Sequence, residues 1–186
     1  ISPDIPKIGS DEGCRVECLE VCRTHHMSFD AQNQCRSTHF AVIGQRVAYG
    51  GEGTGHGETI NVGRNLIARV PDNVSFQEAC FTTLGAIAMN AVRLADIKLG
   101  DIVAVIGLGL VGQLTAQLVR CQGGVAVAID LDAERVKIAT DTGADFGLIA
   151  GDTVVDEVKA LSGGRGADRV IVAAASKSAK PLQDGV

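Results

Sequence analysis

Three glycines stand where a chain could turn tightly around a phosphate group. Gly107, Gly109 and Gly112 have the G-x-G-x-x-G spacing, directly after a run of β-branched residues and directly before a helical pattern. The first glycine of such a turn permits the tight bend, the second lets the backbone approach a pyrophosphate, and the third lets the helix pack closely on the strand. The pyrophosphate would accept hydrogen bonds from free N–H groups at the start of the helix, which begins with Leu110 and Val111.

An acid at the end of the next apolar run could bind the sugar that carries such a phosphate. Asp130 comes 18 residues after Gly112, where a carboxylate can accept hydrogen bonds from both hydroxyls of an adenosine ribose. The same charge would repel the 2′-phosphate of NADP, so we expect NAD as the cofactor rather than NADP. The alternative is a buried parallel-sheet core whose aspartate only caps a helix. The agreement of glycine spacing, flanking pattern and acid favours dinucleotide binding.

The elements that must position these residues alternate regularly along the second half of the chain. The predicted strands are 102–106, 125–129, 146–149 and 169–173, and the predicted helices are 110–121, 133–142 and 153–161. Short apolar strands joined by crossover helices indicate a parallel sheet and an α/β fold. On the first of these helices, the apolar periodicity predicts that Leu110, Leu114 and Leu118 face the sheet.

Less regular patterns precede this alternation. The segments RVAYGG, TINV and NLIARV indicate three short strands. One helix is predicted over 75–96, because Ser75 and Glu78 form a capping box and apolar residues follow at helical spacing. The segment CRVECLEVCRTHHM indicates either a short helix or a strand.

The composition limits the classes of protein to consider. The chain of 186 residues has 46% hydrophobic residues and a net charge of −5 at pH 7, which excludes global disorder and argues against a nucleic-acid partner. The uncharged run 102–119 is close to the length of a membrane span. Its glycines and glutamines favour a buried strand followed by a helix, so we expect no membrane partner.

Six cysteines without a secretory signal pattern ahead of them predict reduced thiols and a cytoplasmic protein. Cys14, Cys18 and Cys22 are four residues apart and on a helix would share one face, where they could bind a metal. Free thiols are the favoured alternative, and His56 is interpreted as a loop histidine. We name no metal ligand among these residues.

Three longer segments resemble one known family. They are VPDNVSFQEACFTTLGAIAMNAVRLADIKLGDIVAVIGLGLVGQLTAQLV, AIDLDAERVKIATDTGAD and GGRGADRVIV. Together they resemble the medium-chain dehydrogenase/reductase superfamily, and most of all its zinc-type alcohol dehydrogenase-like oxidoreductases. The resemblance extends over roughly 45–182. It implies a partial, β-rich GroES-like catalytic domain with an irregular N-terminus over 1–74, and an NAD-binding Rossmann domain over 75–186.

The resemblance also assigns residues to the cofactor. It matches the phosphate loop of the family to the range 107–112 and its ribose-binding acid to Asp130. Arg135 matches a basic residue that would flank the adenosine, and Ala174 follows the fourth strand, close to the cofactor.

The activity that the resemblance implies is hydride transfer between a nicotinamide and a small-molecule substrate, either a carbonyl or alcohol or an activated alkene. Thr82 and Thr83 match the segment of the family that lines the nicotinamide. Either hydroxyl could donate to the substrate oxygen or orient the carboxamide. The alternative is a helical threonine that bonds back to a carbonyl one turn earlier. The family analogy also suggests a homo-oligomer.

The zinc ligands of the family are not visible at their usual positions. CRTHHM supplies Cys22 and Thr24 of the first ligand segment, but His25 and Met27 stand where the family has Asp and His. The third ligand position falls on Thr82, and a hydroxyl is a poor zinc ligand compared with a thiolate. The sequence therefore predicts chemistry without catalytic zinc in this chain.

The chain is shorter than the family pattern ahead of RVAYGG and after the fourth predicted strand. We therefore expect a member truncated at both ends, with an incomplete Rossmann domain. An alternative function is a dinucleotide-binding module or fragment with no catalytic activity of its own.

Overall fold

The computed structural model describes residues 14–18, 25–28, 44–50, 59–62 and 66–174. The chain divides into two compact units, Ile1–Thr83 and Leu84–Val186. This division reflects compactness alone. The assignment of 1–74 to a catalytic domain and of 75–186 to a cofactor domain therefore stays a prediction.

The first unit contains a five-stranded antiparallel sheet. Its strands are β1 (Cys14–Cys18), β2 (His25–Ser28), β3 (Arg46–Tyr49), β4 (Thr59–Val62) and β5 (Ile67–Arg69), in the order β4-β1-β2-β3-β5. Strands β3, β4 and β5 lie at the three predicted positions. Cys14 and Cys18 are in a strand, so the helical face considered for the cysteines does not form at these two residues. Cys22 and His56 lie outside the described residues.

The predicted helix over 75–96 is wrong in one respect, because it is two helices, α1 (Phe76–Ala79) and α2 (Thr82–Leu94). The Thr82 hydroxyl donates to the Ala79 carbonyl over 2.6 Å. In a continuous helix that carbonyl would accept the amide of Thr83 instead. The Phe81 amide donates to the Glu78 carbonyl, a shorter-range bond that also interrupts the α-helical ladder.

The second unit is built on a parallel sheet. Its strands are β6 (Ile102–Ile106), β7 (Val125–Asp130), β8 (Phe146–Ile149) and β9 (Arg169–Val172), in the order β8-β7-β6-β9. Its further helices are α3 (Leu110–Cys121), α4 (Ala133–Thr142) and α5 (Val154–Leu161). The predicted α/β class, with a partial parallel sheet after a β-rich region, is confirmed. The sequence bounds differ by single residues at β7, β9 and α5, where Thr153 is the N-cap.

Both faces of the parallel sheet are covered. All five residues of β6 are buried; Val103 and Val105 pack in the cluster that includes Val119 of α3. The alternate side chains of β6 pack in a second cluster with Val154 and Val158 of α5. A strand buried on both faces needs a continuous apolar run, which explains the uncharged sequence IVAVI.

Of the predicted leucine stripe on helix α3, Leu118 packs against the core cluster, but the fully buried residues of the helix are others. Its buried residues are Gly112, Thr115, Ala116 and Val119, whereas Leu110 is 63% exposed. Small side chains let the helix axis approach the sheet, and the buried Thr115 hydroxyl is satisfied by the Val111 carbonyl at 2.8 Å.

The uncharged run 102–119 is divided between β6 and α3. Within the described ranges, no helix is long and apolar enough to cross a membrane.

Candidate functional site

The carboxyl ends of three parallel strands meet at one edge of the second unit. Ile106 pairs with Ile129 of β7 on one side and with Val172 of β9 on the other. The loops that follow β6, β7 and β9 therefore leave the sheet side by side. In open α/β sheets, ligands bind in the crevice at this edge, where the order of strands reverses.

Gly107 makes the turn from β6 towards α3 and has a conformation that favours glycine. Its φ is +93°, and an added Cβ would lie 2.6 Å from the Cα of Ala174. Its amide donates to the Ile129 carbonyl over 2.8 Å. The loop after β6 is thus fixed between the end of β7 and the segment that follows β9, and Ala174 lies against it.

Gly112 lets the first turn of α3 lie on this loop. A Cβ at Gly112 would overlap the carbonyl oxygen of Gly107. Any side chain there would push the helix away from the strand, as the third glycine of the pattern predicts.

Gly109 differs from the other two glycines, because nothing in the described protein requires it. Its φ of −69° and ψ of −172° are open to any residue, and an added Cβ would meet no atom within 4 Å. It is the N-cap of α3, and no side chain caps this end of the helix. The backbone here faces open space in front of Leu110 and Val111, the first residues of the helix.

The Asp130 carboxylate is bound to the glycine loop. One oxygen, Oδ2, accepts the Leu108 amide over 2.6 Å, and Oδ1 accepts the Asp132 amide over 3.0 Å. The side chain is only 10% exposed. Each carboxylate oxygen has a further lone pair, so the acid can still accept hydrogen bonds from a ligand. The sequence did not predict that Leu108 binds this acid.

Arg135 lies at the rim of the same edge. Its Nη1 is 3.9 Å from Asp130 Oδ2, and its Nε is 3.6 Å from Asp132 Oδ2. The side chain is 54% exposed, and ion pairs at such distances and exposure contribute little to stability. Arg135 is therefore free to reorient towards a ligand at small cost.

Gln113 joins this group, although sequence reasoning did not select it. Its Nε2 donates to the Arg135 carbonyl over 2.8 Å and is 3.3 Å from the Leu108 carbonyl. Its Oε1 is buried and has no hydrogen-bond partner among the described residues. The only signal in the sequence was a polar residue directly after the third glycine.

Thr82 and Thr83 belong to the first unit, and both hydroxyls donate to backbone carbonyls. Thr82 bonds to Ala79, and Thr83 bonds to the Tyr49 carbonyl over 3.2 Å. The bond back along the helix, considered from the sequence as the alternative role, is what Thr82 makes. The roles of both residues towards a nicotinamide stay a prediction.

Metal ligands do not converge in the part of the chain that the structure describes. No group of three or more His, Cys, Asp or Glu side chains there could hold a metal ion. Cys22 and Thr24 of the first ligand segment lie outside the described residues.

Known dehydrogenases are similar in sequence to part of this chain. D-guloside 3-dehydrogenase of Escherichia coli K12 is 38% identical over 107 residues, which are 56% of this chain and 31% of that protein. (R,R)-butanediol dehydrogenase of Bacillus subtilis is 32% identical over 111 residues, 59% of this chain and 31% of that protein. No family model matches the chain. The chain spans about a third of the length of these curated relatives.

Solved structures share the fold. An oxidoreductase of unknown specificity from Escherichia coli superposes with a TM-score of 0.78 at 20% identity, covering 100% of this chain and 69% of that one. The quinone oxidoreductase of Escherichia coli, solved with NADPH, has a TM-score of 0.71 at 18% identity, covering 99% and 55%.

Fold and glycine loop define a Rossmann-type α/β protein. The similarity to D-guloside and butanediol dehydrogenases extends over more than half of this chain and agrees with the resemblance to the medium-chain dehydrogenase/reductase superfamily.

Proposed function

We propose that the second unit binds a nicotinamide dinucleotide, and that the chain serves an oxidoreductase acting on a small-molecule carbonyl, alcohol or activated alkene. The observation that carries the proposal is Gly109. Neither its backbone conformation nor its protein neighbours require a glycine. A ligand that approaches the backbone at the open end of α3 does require one.

The residues around Gly109 fit the parts of a dinucleotide. The uncapped start of α3, at Leu110 and Val111, offers N–H groups and a positive helix end to a pyrophosphate. Asp130 offers carboxylate lone pairs to a ribose, and Arg135 lies beside it. When bound, the nicotinamide supplies or accepts the hydride. The protein supplies position and excludes competing contacts.

The acid favours NAD over NADP. Asp130 is held by two backbone amides and is nearly buried, so its charge stays at the ribose and opposes a 2′-phosphate. Arg135, 3.9 Å away, offsets part of that repulsion. One structural neighbour was solved with NADPH, and we infer that local charge decides the choice of cofactor in this chain.

Thr82 and Thr83 are the polar groups that we propose face the nicotinamide end. The Thr83 hydroxyl is the better candidate, because its present bond of 3.2 Å is longer than the 2.6 Å bond of Thr82 and is replaced at lower cost. Thr82 stands where the family has its third zinc ligand, and a hydroxyl fits zinc poorly. We therefore assign no step to zinc in this chain.

Gly109→Ala tests the proposal. A methyl group there meets no protein atom, and exchanging Gly for Ala at an N-cap changes stability by about 1 kcal/mol or less. Dinucleotide affinity should fall at least about tenfold, because the methyl group occupies the space that a phosphate needs. NADH titration by fluorescence and a thermal melt measure the two effects.

Gly151→Ala is the matched control. A Cβ at Gly151 would meet only the Ile149 carbonyl oxygen, at 4.0 Å, and Gly151 follows β8, which β7 separates from β6 in the sheet. This variant should bind NADH as the unaltered protein does. If Gly109→Ala binds NADH equally well, or if the unaltered protein binds none at millimolar concentration, the proposal is wrong.

A further inference from the structure

We propose that Gln113 is a positioning residue of the dinucleotide site, which sets the placement of the phosphate loop relative to the ribose acid. The inference rests on the proposed function, because it concerns the same site. It adds a residue that neither the glycine spacing nor the acid of the motif identifies.

The side-chain amide of Gln113 contacts two segments at once. Its Nε2 lies 2.8 Å from the Arg135 carbonyl, at the start of α4, and 3.3 Å from the Leu108 carbonyl, in the glycine loop. Both partners are acceptors, so the atom facing them must be the nitrogen. One side chain on the first turn of α3 therefore ties the loop after β6 to the helix after β7.

These contacts close a ring around the acid. Leu108 accepts from Gln113 through its carbonyl and donates to Asp130 through its amide, over 2.6 Å. Arg135 accepts from Gln113 through its carbonyl and places its guanidinium 3.9 Å from the Asp130 carboxylate. A displacement of Gln113 is thus transmitted to Leu108, whose amide binds Asp130, and to the backbone of Arg135, whose side chain lies beside the acid.

Stability alone does not explain a glutamine at this position. Gln113 Oε1 is buried and has no partner among the described residues, and an unpaired buried acceptor destabilises a folded protein. Of the two hydrogen bonds that Gln113 donates, the one to the Arg135 carbonyl is exposed to solvent, so water can replace it, and the one to the Leu108 carbonyl is the longer of the two, at 3.3 Å. An apolar side chain of similar length should fold at least nearly as well.

The positioning role predicts a ligand-dependent effect. NADH reaches both the phosphate loop and the ribose acid, whereas adenosine reaches only the acid. If Gln113 sets the spacing between them, its loss lowers the affinity for NADH, which spans both, and leaves the affinity for adenosine nearly unchanged. A general loss of structure weakens both ligands alike.

The experiment compares Gln113→Met, Gln113→Glu and the control Gln117→Met in the full chain. Gln117 lies one turn further along α3 and tests the loss of a glutamine from the same helix. NADH affinity is measured by fluorescence titration, adenosine affinity by NMR titration, and folding by a thermal melt. We expect Gln113→Met to lower the affinity for NADH about tenfold and the affinity for adenosine less than about twofold.

Gln113→Glu keeps the shape of the side chain but places an acceptor against two carbonyl acceptors. It should therefore lower the affinity for NADH at least as much as Gln113→Met does. The inference is overturned if a folded Gln113 variant binds NADH as tightly as Gln117→Met does. It is also overturned if such a variant loses affinity for adenosine and for NADH equally. If neither Gln113 variant folds, the residue is structural and the inference also fails. Absence of NADH binding by the unaltered protein would instead refute the proposed function, and the inference with it.

Discussion

The Asp130 carboxylate holds a loop amide with one oxygen and a helix-start amide with the other. A single residue therefore shapes the glycine loop and, in the proposed function, presents charge to a ligand. Removing it must affect both stability and cofactor choice, and the two effects can be separated with a neighbouring acid.

Asp130→Ala should lower the affinity for NADH more than the affinity for NADPH. The variant loses the ribose acceptor and also the charge that repels a 2′-phosphate, and it leaves the Leu108 amide without its acceptor at a cost of about 1–3 kcal/mol. Titration with both cofactors gives the ratio of affinities, and a denaturant melt gives the free energy of unfolding.

Asp132→Ala is the control, since Asp132 caps α4 through the Glu134 amide but makes no bond to the loop. It should lose about 1 kcal/mol of stability and change the ratio of NADH to NADPH affinity less than Asp130→Ala does, because it keeps the carboxylate that accepts from the ribose. If Asp130→Ala lowered the affinity for NADH and for NADPH equally, Asp130 would not be the acid that binds the ribose.

Thr83→Val tests the nicotinamide end. A valine keeps the shape and removes the hydroxyl, so NADH affinity should fall about threefold, as for one lost hydrogen bond. ADP-ribose, which lacks the nicotinamide, should bind unchanged. A loss of affinity for both ligands would instead mean that the Tyr49 contact of Thr83 supports the fold.

At the scale of elements, the start of α1 is the capping box that the sequence predicted. The Glu78 carboxylate accepts the Ser75 amide over 2.8 Å, and the Ser75 hydroxyl accepts the Glu78 amide over 3.2 Å. The bond from the Ser75 amide, followed by that from its hydroxyl, holds the pKa of Glu78 below its ordinary value.

This shift makes the contribution of α1 to stability depend on pH. A lowered pKa means that the folded state favours the carboxylate, so the contribution is complete above the ordinary glutamate pKa and is lost as pH falls through the lowered value. Glu78→Gln should therefore destabilise the protein at neutral pH and differ less from the unaltered protein in acid. Denaturant melts between about pH 3 and pH 7 measure this.

The matched background is Ser75→Ala, which removes the hydroxyl from the box. In that background the effect of Glu78→Gln should vary less with pH. The Ser75 amide, the larger cause of the lowered pKa, remains in this background, so part of the pH dependence should persist; if the effect of Glu78→Gln did not vary with pH in either background, the assignment to the capping box would be wrong.

Two differences from the predicted elements come from interactions that apolar periodicity does not record. Periodicity identifies an apolar face but not the distance at which a helix packs, so the leucines of α3 were favoured over the small residues that lie against the sheet. At the break between α1 and α2, the Thr82 hydroxyl and the Phe81 amide donate to backbone carbonyls in place of the regular helical ladder. Propensity along the chain does not record that competition.

At the scale of the whole molecule, two units with different sheets lie in one chain. The parallel sheet has its own core on both faces, and the antiparallel sheet contributes a separate cluster around Ala48, Val70 and Ala79. The curated relatives are dehydrogenases named for different substrates, so similarity to them does not select a substrate for this chain.

The sequence by itself determined the α/β alternation, most strand and helix bounds, and the resemblance to known dehydrogenases, because these depend on local periodicity and on spacings within a short stretch. It also predicted the tasks of Gly107 and Gly112, since a turn that begins a helix is local.

Only the tertiary structure decided how the residues of the site are joined. Leu108 and Asp130 are 22 positions apart, as are Gln113 and Arg135, and they meet because the registers of the parallel strands bring their loops together. The pairing of distant strands also shows that Gly109 faces open space, which no local pattern can reveal. The physical reason is that hydrogen bonds across a sheet edge are set by strand register and not by separation along the chain.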